Sequence, residues 1–327
     1  MKILAVDDDS FILELVPMII AQTGLHKVEV AQSGGDALSM IEASTQPFDC
    51  FLFDIQMPGM DGIDLCRRVR SLQPYRHTPI IMLTAMTERS FIERAFAAGA
   101  TDYATKPFDL TELRARLGMA DRLVQAARQP VAPQAGEHAA PSDNANAQLI
   151  EGADELKIDL TDNITELVAL GNYLTALSAS AQQSIQVFAV KASGFALVLR
   201  RASAAERNYI LAEIASAIHS VLRPQGYLMA YAGQGTFICV SNSSLPANPD
   251  LVESEIQDSL DEKDCVFDNG APVDIVIAVG HPIQPGLVNA VGVEDLFSRV
   301  VSRAEAKAKA IISAPERPNI RQMPNVR

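Results

Sequence analysis

Five times in the first third of the chain a short apolar, β-rich run is followed by an amphipathic helical stretch, and acidic residues gather directly after the runs. That alternation predicts a parallel sheet with helices on both faces, because consecutive parallel strands need a crossover and a helix is the usual one. Strands are predicted over 3–6, 27–30, 50–53, 80–83 and 101–103, with helices beginning near Ser10, Gly35, Asp61, Glu88 and Asp109. Ser10 ahead of the run Phe11 to Ile20 reads as one helix start, and Asp109 with Glu112 three residues on is close to a capping box. Pro17 removes a backbone donor inside the first helix and should kink or loosen it.

In a doubly wound sheet, ligands collect at the carboxyl ends of the strands. Asp7, Asp8 and Asp9 follow the first strand, Asp54 ends the third, Thr84 follows the fourth, and Lys106 follows the fifth with Pro107 next to it. Carboxylates converging at low dielectric repel one another, so the arrangement calls for a bound cation. Oxygen-only ligands favour Mg2+, the ion of phosphoryl-transfer sites. Taken singly these residues are bland, since an aspartate after a strand is more often a cap or turn former. Asp9 reads as a solvated acid and is left outside the core site, and the joint pattern carries the rest.

The segments Val6-Asp7-Asp8-Asp9, Asp54-Ile55-Gln56-Met57-Pro58-Gly59-Met60-Asp61-Gly62, Thr84-Ala85 and Lys106-Pro107-Phe108 together resemble the receiver domain of two-component response regulators. The resemblance covers residues 1–125 and implies a five-stranded, doubly wound, flavodoxin-like fold. It implies that Asp54 is the phosphoacceptor, and that Asp8, Asp54 and the main-chain carbonyl of Gln56 hold Mg2+ with Asp7 in support. Lys106 would pair with the phosphoryl oxygens across a cis Lys106-Pro107 bond, and Thr84 would hydrogen-bond the aspartyl phosphate. Tyr103 would be the aromatic switch, although a half-buried tyrosine at a strand end is as often simple packing. The implied donor is a sensor histidine kinase or a phosphotransfer protein.

The chain has 327 residues, enough for two domains. Residues 129–146 are rich in Ala, Pro, Gln, Gly, Ser and Asn and nearly free of large apolar side chains, so 126–155 is expected to be a flexible linker. Organised sequence returns over 156–314, with helices near 164–177, 204–222 and 293–312 and strands near 186–191, 227–231, 236–241 and 273–279. Helices interspersed with strands in that order predict an α+β, ferredoxin-like domain. Residues 315–327, with Pro315, Pro318 and Pro324, are expected to be a loose tail.

This second segment resembles a GGDEF (diguanylate cyclase-like) domain. Leu167, Leu170 and Asn172 fit its entry motif, Phe195 and Leu211 fit the strand and helix that follow, and Val279-Gly280 fits a later strand end. Gly233-Gln234-Gly235-Thr236-Phe237 lies where the family's signature hairpin should be. The departures decide what the resemblance implies. Lys191 and, in the hairpin, Gly235 and Thr236 stand where metal-binding acids are needed, Leu199 and Asn208 replace the base-reading pair, and Tyr227 ends a lost inhibitory motif. Without acids two metal ions cannot clamp a nucleoside triphosphate. The implied output is a catalytically inactive GGDEF-like module acting through a downstream protein partner or through homodimerisation.

Other residues read as structural. The net charge of −13 argues against nucleic acid and anionic membrane surfaces. Four cysteines at unrelated spacings suggest neither disulfides nor zinc, no apolar stretch is long enough to span a bilayer, and the expected location is the cytoplasm. Five scattered histidines lack metal spacing. Arg200-Arg201 with Lys307 and Lys309 read as a solvated basic face. Two alternatives stay open: an active nucleotide cyclase recruiting Asp258, Asp261 or Asp264, and a DNA-binding transcriptional regulator.

Overall fold

The computed structural model describes residues 1–21, 26–85, 89–107, 110–128, 164–242, 249–286 and 292–313. The expected helix start at Glu88, Phe108 and the cap Asp109, the linker from 129 onward and the tail 315–327 lie outside the described residues. Two compact units emerge, one of residues 1–145, 159–182 and 228–231, the other of 146–158, 183–227 and 232–327.

The first unit opens with the five βα repeats: β1 Lys2–Val6, α1 Ser10–Ala21, β2 Lys27–Ala31, α2 Gly34–Ala43, β3 Cys50–Asp54, α3 Gly62–Ser71, β4 Ile80–Thr84, α4 Arg89–Ala97, β5 Asp102–Thr105 and α5 Leu110–Arg128. The strands are parallel in the order β2-β1-β3-β4-β5, which puts β3 in the centre. Side chains alternate across a strand, so each strand serves two cores. Ile3, Ala5, Leu52, Ile81 and Leu83 pack with Val16 and Ile20 of α1 and with Leu113 and Leu117 of α5. Leu4, Val6, Phe51, Phe53 and Met82 pack with Ile63 and Val69 of α3 and with Ala95 of α4.

The start of α1 is capped by Asp9, not by Ser10: Asp9 Oδ1 accepts from the Phe11 N–H at 2.9 Å, and Ser10 is already helical. The helix runs through Pro17 without interruption. Glycines 34 and 35 open α2, capped by Ser33, whose side chain accepts from the Asp36 N–H.

The same unit holds a short strand, β6 Ile164–Thr165, and the helix α6 Leu167–Ala176. Sequence reading sets α6 in the second domain, yet its partners are receiver residues. Tyr173 is buried, its ring meeting Phe96 at 5.7 Å edge-on and its hydroxyl donating to Glu93 Oε1 at 3.0 Å. Asn172 Nδ2 donates to the Thr101 carbonyl at 2.9 Å. The helix α7 Ala179–Gln183 follows, with buried Gln182 donating to the carbonyls of Leu174 and Leu177.

In the second unit the strands β7 Ile185–Ser193, β9 Thr236–Asn242 and β10 Val276–Val279 pair antiparallel, with β7 between the others. The helices are α8 Phe195–Arg201, α9 Ala204–Leu222, α10 Pro249–Asp261 and α11 Val293–Ser313, while β8 Tyr227–Tyr231, whose residues 228–231 belong to the first unit, pairs parallel with β6 and precedes the turn into β9. A full capping box, Ser203 with Glu206, starts α9. Lys307 of α11 bridges Asp250 at 2.5 Å and Glu253 at 2.9 Å on α10. The C-terminal region is thus a second domain of sheet and helices, as its element order predicts.

Candidate functional site

Register brings the polar strand ends to one edge. Asp54 pairs with Leu83 and Thr84 with Thr105, so Asp54, Thr84 and Lys106 stand at neighbouring ends of β3, β4 and β5. The loop after β1 adds Asp7 and Asp8 beside them. Carboxylate oxygens of Asp7, Asp8 and Asp54 all lie within 4.8 Å of one another, with Asp7 and Asp54 buried and Asp8 exposed. Among the described residues this is the one cluster of acids close enough to hold a metal ion. Its donors are all oxygens, on two buried anions and one open to solvent, and such a set fits a hard divalent cation that keeps part of its water shell.

Lys106 spans the pair. Its Nζ donates to Asp7 Oδ2 at 2.6 Å and to Asp54 Oδ1 at 2.5 Å. Burial pulls this ammonium's pKa down, but the hydrogen bonds and charges of Asp54 and Asp7 outweigh it and leave it raised. Burial raises the Asp54 carboxyl above its usual range; Lys106 pulls it back, while the negative charge of Asp7 adds to the rise. Asp9 contributes from outside the cluster, its N–H donating to Asp7 Oδ1 at 3.0 Å.

The loop after β3 turns back tightly. The Gly62 N–H donates to the Ile55 carbonyl at 3.0 Å, and a Cβ on Gly62 would stand 1.9 Å from the Asp54 carbonyl oxygen. Only glycine permits this approach, and it fixes α3, capped by Asp61, directly against the strand that carries Asp54. An open groove of about 460 Å³ runs beside the acids, lined by Asp8, Gln56, Met57, Pro58, Asp61 and Phe91 among others. Gln56 is exposed, and its main chain also donates to Asp54.

Thr84 is buried, and its carbonyl accepts from the Lys106 N–H at 2.7 Å, tying β4 to the loop that carries the lysine. The Lys106-Pro107 bond is cis. Tyr103 is half-buried, with Arg116 5.2 Å over its ring and its hydroxyl donating to the Ala176 carbonyl at 3.3 Å.

In the second unit the sequence-flagged positions sit around one turn. Gly233 and Gly235 take left-handed φ of 90° and 72°, and Gln234 joins them at φ 50°. Lys191 Nζ donates to the Gln234 carbonyl at 2.8 Å and to Thr236 Oγ1 at 3.0 Å, with Phe237 buried behind them. Asp258, Asp261 and Asp264 are all exposed.

An acidic pocket crossed by a lysine, at the carboxyl edge of a five-stranded parallel sheet, is the constellation of a receiver. The chain belongs to the response regulators: residues 3–118 match the response regulator receiver domain. Chemotaxis protein CheY-3 of Vibrio cholerae is 37% identical over 117 residues, 36% of this chain and 88% of the relative. Response regulator MprA of Mycobacterium avium is 42% identical over 117 residues, 36% of this chain and 49% of the relative. Among solved structures, chemotaxis protein CheY4 of Vibrio cholerae is 34% identical, covering 36% of this chain and 97% of that chain with a TM-score of 0.34.

Proposed function

We propose that the protein is a phosphorylation-controlled switch in the cytoplasm, charged by a sensor histidine kinase or a phosphotransfer protein. The observation that carries this reading is the convergence of Asp7, Asp8 and Asp54 with Lys106 bridging two of them. Asp54 is the nucleophile: a carboxylate oxygen bonds to the phosphorus of the donor, whose own bond to phosphorus breaks, leaving an acyl phosphate. Asp8, Asp54 and the Gln56 carbonyl would hold Mg2+, with Asp7 in support, and a cation bound there would supply positive charge to the phosphoryl oxygens. Lys106 then shifts from Asp54 towards the phosphoryl group, and Thr84 donates to it.

Tyr103 is the reporter. Its hydroxyl rests on the last residue of α6, so a change of its rotamer alters how that helix is held. The added charge needs to bias this two-state element by only a few kcal/mol. Incubation with a small phosphodonor and Mg2+ should add the mass of one phosphoryl group, and Asp54→Ala should abolish the addition. Uptake by the variant would refute the assignment.

The second domain is read as a GGDEF-like output without catalysis, signalling through protein contacts or a homodimer. Its support is Lys191, an ammonium tied to the hairpin at a position where a cyclase needs a metal-binding acid. Incubation with GTP and Mg2+, with and without a phosphodonor, tests it, and a cyclic product would count against it.

A further inference from the structure

In a chain with a net charge of −13, one cleft of the second unit gathers three cations, Lys191, Arg200 and Lys309, against a single acid, Glu305. Its volume, about 600 Å³, is that of small-molecule sites. One wall is built by the end of β7 and a fixed corner, where Gly194 holds φ +93° and a Cβ would come within 2.4 Å of the Asp274 carbonyl oxygen. Another is the last turns of α11, ending on Ile312, which is 68% exposed.

The cations are not spent on neighbours. Lys191 has three donors, and the two partners it holds, the Gln234 carbonyl and the Thr236 hydroxyl, are both neutral. Burial lowers its pKa while Glu305 pulls it back up, so this half-buried ammonium gains from a further anion. Arg200 and Lys309 form no ion pair among the described residues, whereas Lys307 on the same helix is bound by two carboxylates. Ser193, in the same wall, has a buried hydroxyl without a partner. An unpaired buried polar group of this kind calls for an explanation.

We propose that this cleft binds a small organic phosphate, its phosphate held directly by Lys191, Arg200 and Lys309 and its apolar body lying along Leu199 and Ile312. No metal ion is needed, because fixed cations supply the charge. The inference rests on the reading of this domain as catalytically silent, since a lysine that holds an anion directly displaces the acid a metal would require.

The test uses the full chain in EDTA, so that no divalent ion bridges phosphate to the receiver, with inorganic phosphate, AMP and GMP as separate probes in equilibrium dialysis. Saturable binding of at least one nucleotide is expected, weakened about tenfold or more by Arg200→Glu and by Lys309→Glu, both exposed positions, and unchanged in Asp54→Ala. Absence of saturable binding, survival of binding in both charge reversals, or its loss in Asp54→Ala would each overturn the site. Inorganic phosphate binding as tightly as the nucleotides would overturn the apolar wall. A cyclic product from GTP strikes the silent-output reading, whereas a null result in EDTA strikes the cleft alone.

Discussion

The hydroxyl of Tyr103 donates to the main-chain carbonyl of Ala176, 3.3 Å away and 73 positions along the chain. A side chain near the start of β5 thereby touches the end of a helix outside the receiver's own five repeats. The bond is partly buried, and removing it should loosen α6 by about 1 kcal/mol. Tyr103→Phe is therefore expected to speed amide exchange over 167–176 roughly fivefold. Tyr173→Ala removes a buried ring and should release the helix by a larger margin, about 3–5 kcal/mol. Beryllofluoride should change exchange in the same segment of the wild type and leave Tyr173→Ala unmoved. An α6 indifferent to all three treatments would end its role as reader.

Lys106→Met leaves Asp7 and Asp54 facing each other without their shared cation, at a cost of about 3 kcal/mol at neutral pH. Mg2+ should restore part of that loss. The rise in thermal midpoint on adding Mg2+ is accordingly expected to be larger in Lys106→Met than in wild type, and to disappear when Asp8→Asn is combined with it. Equal shifts in all three proteins would place the ion elsewhere.

Gly62→Ala puts a methyl group where the Asp54 carbonyl already stands, 1.9 Å from the ideal Cβ position. The strand end or α3 must move, and a loss of at least about 1–3 kcal/mol is expected in urea unfolding. On the proposed reading phosphoryl uptake should fall in the same variant, because the displaced backbone is that of the proposed nucleophile.

Asp102 gives a pH signature away from the acidic pocket. Burial raises its carboxyl above the ordinary range, and Arg116, 2.5 Å away, only partly pulls it back. With the folded value above the unfolded one, the folded state holds the proton more tightly, so this group's contribution to stability falls as pH rises through the carboxylate range. Relative to Asp102→Asn, wild type should therefore be worse placed at pH 7 than at the acid end of that range. Urea midpoints of the two proteins at both values check the sign.

The receiver was legible because its signals are local. Five alternations of period and four short motifs place the site residues at strand ends, and the structure brings Asp7, Asp8, Asp54 and Lys106 together as that pattern implies. The boundaries of α9 were equally readable, its capping box lying within four residues. The helix α10 was missed although Pro249 opens it and Val252, Ile256 and Leu260 repeat every fourth residue on its buried side; that signal was present. At seven residues, α8 is too short for a helical period to declare itself. Two features had no local signal. The packing of Tyr173 against Glu93 joins positions 80 apart, and the cleft needs Lys191, Arg200 and Lys309 from three separate elements. Read along the chain, Arg200 and Lys309 look merely solvated.

Asp54 is mounted on β3, the central strand, whose side chains feed both hydrophobic cores. To slide Asp54 even slightly along its strand would shear two packed layers at once, and packed interiors yield poorly to such strain. The proposed acceptor is thus the fixed jaw of the device. On the proposed reading, whatever travels when a phosphoryl group arrives is drawn from outside those layers: the loop carrying Lys106, the half-buried Tyr103 ring and α6, on whose last carbonyl the Tyr103 hydroxyl rests.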